Sequence, residues 1–301
     1  MKRFLRYVFG ILGATLILFG MINVIYYKWF NHSRLVAYEV YEALDVTNQK
    51  TEYTAVVLGD SVARQFFNPE YQDEDNTVCY LATNQAIMAA GNYILLESFL
   101  QNNPQVEEVY YVVRPDSLMS SPNFTYTYSY FITPFFEDNY LKYLDEETVA
   151  GIEACYGKIW THNHFMKWLL AKYPKGLEMY NNTCKSFLPY KYDRTKADLM
   201  PDTSLPYLRK IKEICDNQEI SFHLLSVPVI EGYECDFKTL QTGMQKLEMQ
   251  DLYEQLVTSM EYVDPSEFVD GIHLKKEYIL TNRDTYRKLL HKKDERRKNV
   301  K

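Results

Sequence analysis

The chain has 301 residues, with 33 basic and 40 acidic side chains and a net charge of −7. Four basic residues (Lys2, Arg3, Arg6, Lys28) fall in the first 28 positions with no acid, and six more fall in the last eleven beside two acids; the stretch from Trp29 to Leu290 is left with 23 basic against 38 acidic residues, a net of −15. A surface of that sign repels phosphate backbones and argues against nucleic acid as a partner, and the length allows one large domain or one domain with an insertion.

Tyr7 to Tyr27 contains no charged residue and is dominated by Leu, Ile, Val, Phe and Gly. Its 21 residues suffice to span a hydrocarbon core as a helix. The run ends in Ile25-Tyr26-Tyr27-Lys28-Trp29 with no Ala-x-Ala site, so a retained anchor is expected in place of a cleaved signal peptide. Basic residues before the span put the N-terminus in the cytoplasm and the rest outside. The expected organisation is a cytoplasmic stub and transmembrane anchor over 1–30, then a juxtamembrane helix over 31–53, in a single-pass cell-membrane protein.

Val56-Val57-Leu58-Gly59 is a short apolar run of the kind a buried parallel strand shows. It stops at Asp60-Ser61 and passes into a short helix that Pro69 closes. In an open α/β sheet ligands bind beyond the carboxyl ends of the strands, so Ser61 presents its hydroxyl where a substrate can reach it. Thr77–Ala82 reads as the second strand, followed by a helix over Ala86–Gln101, with Asn84 at its start as an N-cap or as a donor to a developing oxyanion. Glu108–Val113 is the third strand. It ends at Arg114-Pro115-Asp116-Ser117, where Arg114 is placed to bind a substrate anion or to pair with a neighbouring acid.

The strand–helix rhythm then breaks over about 118–205, an aromatic-rich insertion expected to cap the carboxyl edge of the sheet. Phe124, Tyr126, Tyr128 and Tyr130 alternate with polar residues, a period-two strand signal. Flat aromatic faces suit sugar rings or acyl chains, but for any single residue a place in the insertion's own small core is the expectation preferred. His162 and His164 have no patterned acid or cysteine beside them, so no metal is expected. Tyr207–Asn217 reads as a one-faced helix, Ile220–Val227 as strand four before Pro228, Leu240–Met260 as helical, and Tyr262–Asp264 as strand five. Phe268-Val269-Asp270-Gly271-Ile272-His273-Leu274 follows, with Asp270 and His273 on one face if the turn is helical. Lys275–Leu290 is a final helix, and 291–301 a basic solvated tail. The five cysteines (Cys79, Cys155, Cys184, Cys215, Cys235) leave open one or two disulfides or buried free thiols.

The βαβ order implies a mainly parallel five-stranded sheet with helices on both faces. The Gly59-Asp60-Ser61 block and the Asp270-x-x-His273 block together resemble the opening and closing motifs of the SGNH/GDSL hydrolase family. The resemblance spans roughly Thr54 to Leu290 and implies a flavodoxin-like three-layer sandwich over 54–290. It implies Ser61 as nucleophile, His273 as base and Asp270 as its orienting acid. The family's Gly-x-Asn-Asp block is missing at Arg114–Ser117, so either Asn84, Arg114 or Ser117 replaces the oxyanion donor it would give, or the site is weaker than is usual in the family. With no glycine-rich phosphate loop, no cofactor is expected. The expected function is a membrane-anchored, outward-facing serine esterase or O-acyltransferase. Its partners would be an ester-bearing surface glycan or glycolipid, membrane lipid around the anchor, and a membrane-embedded acyl donor if it transfers acyl groups. A non-catalytic member that binds or helps assemble a surface polysaccharide is the alternative.

Overall fold

A computed structural model describes residues 2–29, 37–67, 77–122, 126–162 and 193–289. Four parallel strands form the main sheet: β1 (Ala55–Gly59), β2 (Val78–Tyr80), β3 (Glu108–Val113) and β4 (Ser221–Ser226), in the order β2-β1-β3-β4. Parallel neighbours need crossovers, and helices supply them. All five residues of β1 are buried, because both faces of the sheet are covered. Val56 and Leu58 join an apolar layer with α2 (Tyr38–Thr47), α4 (Met88–Asn102) and α6 (Leu205–Asn217). Ala55 and Val57 point the other way, toward α3 (Ser61–Phe66) and α9 (Lys276–Leu289).

The fifth strand departs from expectation. β6 (Tyr262–Val263) pairs with β5 (Val229–Ile230) in a separate two-stranded ladder. The main ladder ends where Val227 N–H reaches Val113 O at 3.2 Å, one residue before Pro228. Past that proline the chain resumes as β5, with α7 (Phe237–Lys246) and α8 (Gln250–Thr258) leading on to β6.

Several boundaries and one element type also differ. The helix expected over 31–53 is α2, with 30–36 outside the described residues, as are Pro69 and the tail 291–301. The helix expected from Ala86 begins at Met88, after a 3-10 turn over Gln85–Ile87. Met88 at φ 55° and ψ −171° makes that break, a conformation costing about 1–3 kcal/mol in a residue with a side chain. The strand expected around Tyr126–Tyr130 is instead a π-helical turn over Tyr128–Ile132 continuing into Thr133–Phe135. Tyr128, Phe131, Ile132, Phe135 and Phe136 are spaced i, i+3, i+4, i+7, i+8 and all lie in the core with α4, so the helical period overrides the shorter alternation. These five side chains are therefore packed inside and not presented to a ligand; Tyr130 packs half-buried against the same core, Tyr126 is exposed, and Phe124 lies outside the described residues. The insertion continues as α5 (Glu146–Tyr156), and 163–192 are not described.

Cys79, Cys155, Cys215 and Cys235 are free thiols, and Cys184 lies outside the described residues. Burial pushes the Cys79 and Cys215 thiols up to about 12. The N-terminal segment is a single helix, α1 (Lys2–Trp29), whose side chains are described as far as Met21, Phe19 excepted. Among the described residues no helix is long and apolar enough to cross a membrane.

Gly59 ends β1 against β3. A Cβ there would sit 2.3 Å from the Val112 carbonyl oxygen and 2.6 Å from Ala63 Cβ. Gly59→Ala must push strand or helix away, at a cost of about 1–3 kcal/mol. Chemical denaturation should show that loss; an unchanged midpoint would mean the two strands do not approach so closely.

Candidate active site

The site begins with a buried carboxylate. Asp60, 3% exposed, caps α3: Oδ1 accepts from Val62 N–H at 3.0 Å and Ala63 N–H at 3.1 Å. Its other oxygen, Oδ2, accepts from Arg114 N–H and from Ser117 Oγ–H, each at 2.9 Å. One side chain thereby joins the turn after β1 to the turn after β3. Ser61 follows as the first residue of α3, at the carboxyl edge of the sheet. Behind it, Asn92 Oδ1 accepts from Gly59 N–H at 3.2 Å, and Gly59 O accepts from Thr83 N–H at 3.1 Å.

The second half of the site comes from the loop between β6 and α9. Asp270 and His273 do not lie on a helical turn. They lie on a tight loop closed by an antiparallel bridge between Phe268 and Leu274, with Val269 N–H donating to His273 O at 2.8 Å. Gly271 takes the positive φ of 76° that the loop tip requires. Asp270 Oδ1 accepts from the N–H groups of Ile272 and His273 at 3.0 and 2.7 Å, while Oδ2 faces His273 Nδ1 at 2.8 Å. Burial alone would raise the Asp270 carboxyl, but these hydrogen bonds outweigh it and hold the pKa at about 2. An ionised Asp270 selects the tautomer with hydrogen on Nδ1, which leaves Nε2 as an acceptor. That nitrogen lies 3.0 Å from Ser61 Oγ. Hydroxyl, imidazole and carboxylate thus form one line, and the arrangement can move a proton from the Ser61 hydroxyl to the ring. The line is open to solvent: the His273 side chain is 36% exposed and that of Asp270 52%.

The other expected site residues have different employment. Asn84 is an N-cap, its Oδ1 accepting from Ala86 N–H at 2.9 Å. Its backbone N–H and that of Ser61 meet no acceptor among the described residues. Arg114 pairs bidentately with Asp116, Nε to Oδ1 at 2.9 Å and Nη2 to Oδ2 at 2.6 Å, and lies over the Tyr233 ring at 5.6 Å. Ser117 spends its hydroxyl on Asp60. The Ser117 hydroxyl proton is thus already engaged, and Arg114 is held at Asp116 by two of its five N–H groups. His162 Nε2 contacts Glu153 Oε1 at 2.5 Å, and His164 is not described. Three contributors had escaped the sequence: Asp60 as the staple between two turns, Asn92 behind Gly59, and Gln65, whose carboxamide meets the Leu274 backbone. The cap role of Asp60 was readable from its place just before a helix; for Gln65 and Asn92 no local signal exists.

No family model matches this chain, and no curated protein does. Among solved structures, one from Streptococcus pneumonia, described provisionally as a platelet activating factor, aligns over 91% of this chain and 98% of its own. The identity is 12% and the TM-score 0.38, too low for the likeness to carry an argument about fold or activity.

Because Asp270 ionises at about 2 in the folded protein against an ordinary 3.8, it favours the folded loop above the ordinary value, and that contribution is lost as pH falls toward 2. A carboxyl titration followed by NMR should place Asp270 at the low end of the carboxylate range. A midpoint near 3.8 would mean the loop does not hold the three hydrogen bonds of Asp270 in solution.

Proposed function

We propose that this protein is a serine esterase or O-acyltransferase of the SGNH/GDSL type, working through an acyl-enzyme on an ester of a cell-surface glycan or glycolipid. One observation carries the reading: Ser61 Oγ, His273 and Asp270 form a continuous hydrogen-bonded line, although Ser61 and His273 are 212 positions apart. Chance sequence motifs have no reason to meet in that geometry at the carboxyl edge of a parallel sheet.

In the proposed reaction Ser61 Oγ adds to the ester carbonyl carbon as its proton passes to His273 Nε2. Asp270 holds the ring by Nδ1–H and stabilises the imidazolium. The tetrahedral adduct then expels the alcohol, which takes the proton from His273, and leaves an acyl group on Ser61. Water, or a sugar hydroxyl, attacks that acyl carbon and gives its own proton to the ring. The carbonyl re-forms as Ser61 departs and recovers a proton from His273. The negative oxygen of both adducts would be met by the Ser61 and Asn84 backbone N–H groups, which have no partner in the described protein. The exposure of His273 and Asp270 suits an ester on a bulky carrier.

The same reading includes a membrane anchor in α1, which supports a substrate at the cell surface. Its support is the uncharged run Tyr7–Tyr27 and the outward exposure of Phe9, Ile11, Leu16 and Ile17. Orientation follows from Lys2, Arg3 and Arg6 on its leading end, with the α/β domain outside.

A non-catalytic binding or assembly role is the second reading, favoured by the engagement of Arg114 with Asp116 and of Ser117 with Asp60 in structural bonds. Two measurements separate the readings. Wild-type protein should label at Ser61 with a fluorophosphonate, and Ser61→Ala should lower aryl acetate hydrolysis by about 10³-fold or more with its melting temperature unchanged. A Ser61→Ala protein as active as its parent removes the nucleophile assignment, and an unlabelled wild type supports the binding role.

A further inference from the structure

We infer that Gln65 is a positioning residue that sets the approach of His273 to Ser61 by acting as a surrogate strand for the backbone of Leu274. The inference rests on the serine-hydrolase reading of the same site.

Phe268 and Leu274 face each other as an antiparallel bridge. The hydrogen bonds of that bridge run between the flanking residues, Val269 N–H to His273 O and Lys275 N–H to Glu267 O, both at 2.8 Å. In such a pair the two facing residues turn their own N–H and C=O outward. Leu274 is 1% exposed, so water does not satisfy those outward groups. Gln65 does. Its Oε1 accepts from Leu274 N–H at 3.2 Å and its Nε2 donates to Leu274 O at 3.4 Å. These are the only hydrogen bonds of the Leu274 main chain among the described residues.

The two bonds also fix the orientation of the carboxamide, because a main-chain donor and a main-chain acceptor admit only one arrangement of its oxygen and nitrogen. Glutamine is suited to this place on chemical grounds: it presents a donor and an acceptor together at the end of a long stem, which an ionised carboxylate does not. Gln65 follows Ser61 by four residues, so both project from one face of α3, and Leu274 follows His273 directly. The helix that carries the hydroxyl therefore also holds the residue next to the ring. Rotation or retreat of the loop is opposed at a point one residue from the reacting nitrogen.

The test uses the full chain with Gln65→Met, close in size and without hydrogen bonds. Amide hydrogen exchange at Leu274 should speed up by about tenfold or more, at an unchanged melting temperature. On an aryl acetate kcat should fall by about 10- to 100-fold while KM stays within about twofold, since misplacement of a reacting group costs rate more than binding. Gln65→Ala, which adds no steric demand, repeats both measurements if the methionine variant misfolds. Unchanged exchange at Leu274, or lost protection with kcat at the parent level, overturns the inference. Ser61→Ala measured in parallel tells the two failures apart: if it stays active, the hydrolase reading falls, and exchange at Leu274 alone decides whether Gln65 holds the loop.

Discussion

The structure turns on one buried carboxylate. A charge withdrawn from water must be matched by donors, and Asp60 is matched by four: two amides of α3, the Arg114 amide and the Ser117 hydroxyl. Because those donors belong to two separate turns, satisfying the charge also locks the end of β1 to the end of β3. Ser61 is placed by default, as the first residue after the staple. Gly59 makes the arrangement sterically feasible, since only a residue without a side chain can lie so close to the Val112 carbonyl. Substrate-facing chemistry and strand packing are thus settled by neighbouring residues for different reasons.

The opposite half of the site is held by a different kind of force. The loop carrying Asp270 and His273 is half open to solvent and gains its shape from bonds inside itself, with Asp270 accepting from two amides and the ring of its own segment. Acid and base are thereby oriented relative to each other without help from the rest of the molecule. Their meeting with Ser61 is a tertiary matter, governed by the burial of Leu274, its bridge to Phe268 and its two bonds to Gln65. A locally rigid loop docked by a few contacts is an economical way to bring together groups far apart in the chain.

The residues between β3 and β4 show how an apolar pattern can be read at the wrong period. Tyr128, Phe131, Ile132, Phe135 and Phe136 complete the core beneath α4 and do not line an opening. Arg114, likewise, is drawn into a bidentate pair with Asp116 beneath Tyr233. Both features commit to packing or pairing side chains that the sequence had offered to a ligand; among the described residues the Ser61 hydroxyl, the His273 ring and the Ser61 and Asn84 backbone N–H groups remain available.

What the amino-acid sequence determined by itself was local. The apolar runs of β1, β3 and β4, the serine at the end of the first and the helical period of α6 all depend on residues near one another, and they appear where their spacing puts them. Tertiary structure decided the rest, because those outcomes depend on what a residue meets across space. The fifth strand paired with β5 in a ladder of its own; the core claimed the aromatics of Tyr128–Phe136 for a helical face; Asp60 claimed the hydroxyl of Ser117. Above all, the 3.0 Å approach of His273 to Ser61 is written in neither motif, since it arises only when the sheet, α3 and the Leu274 loop are packed together.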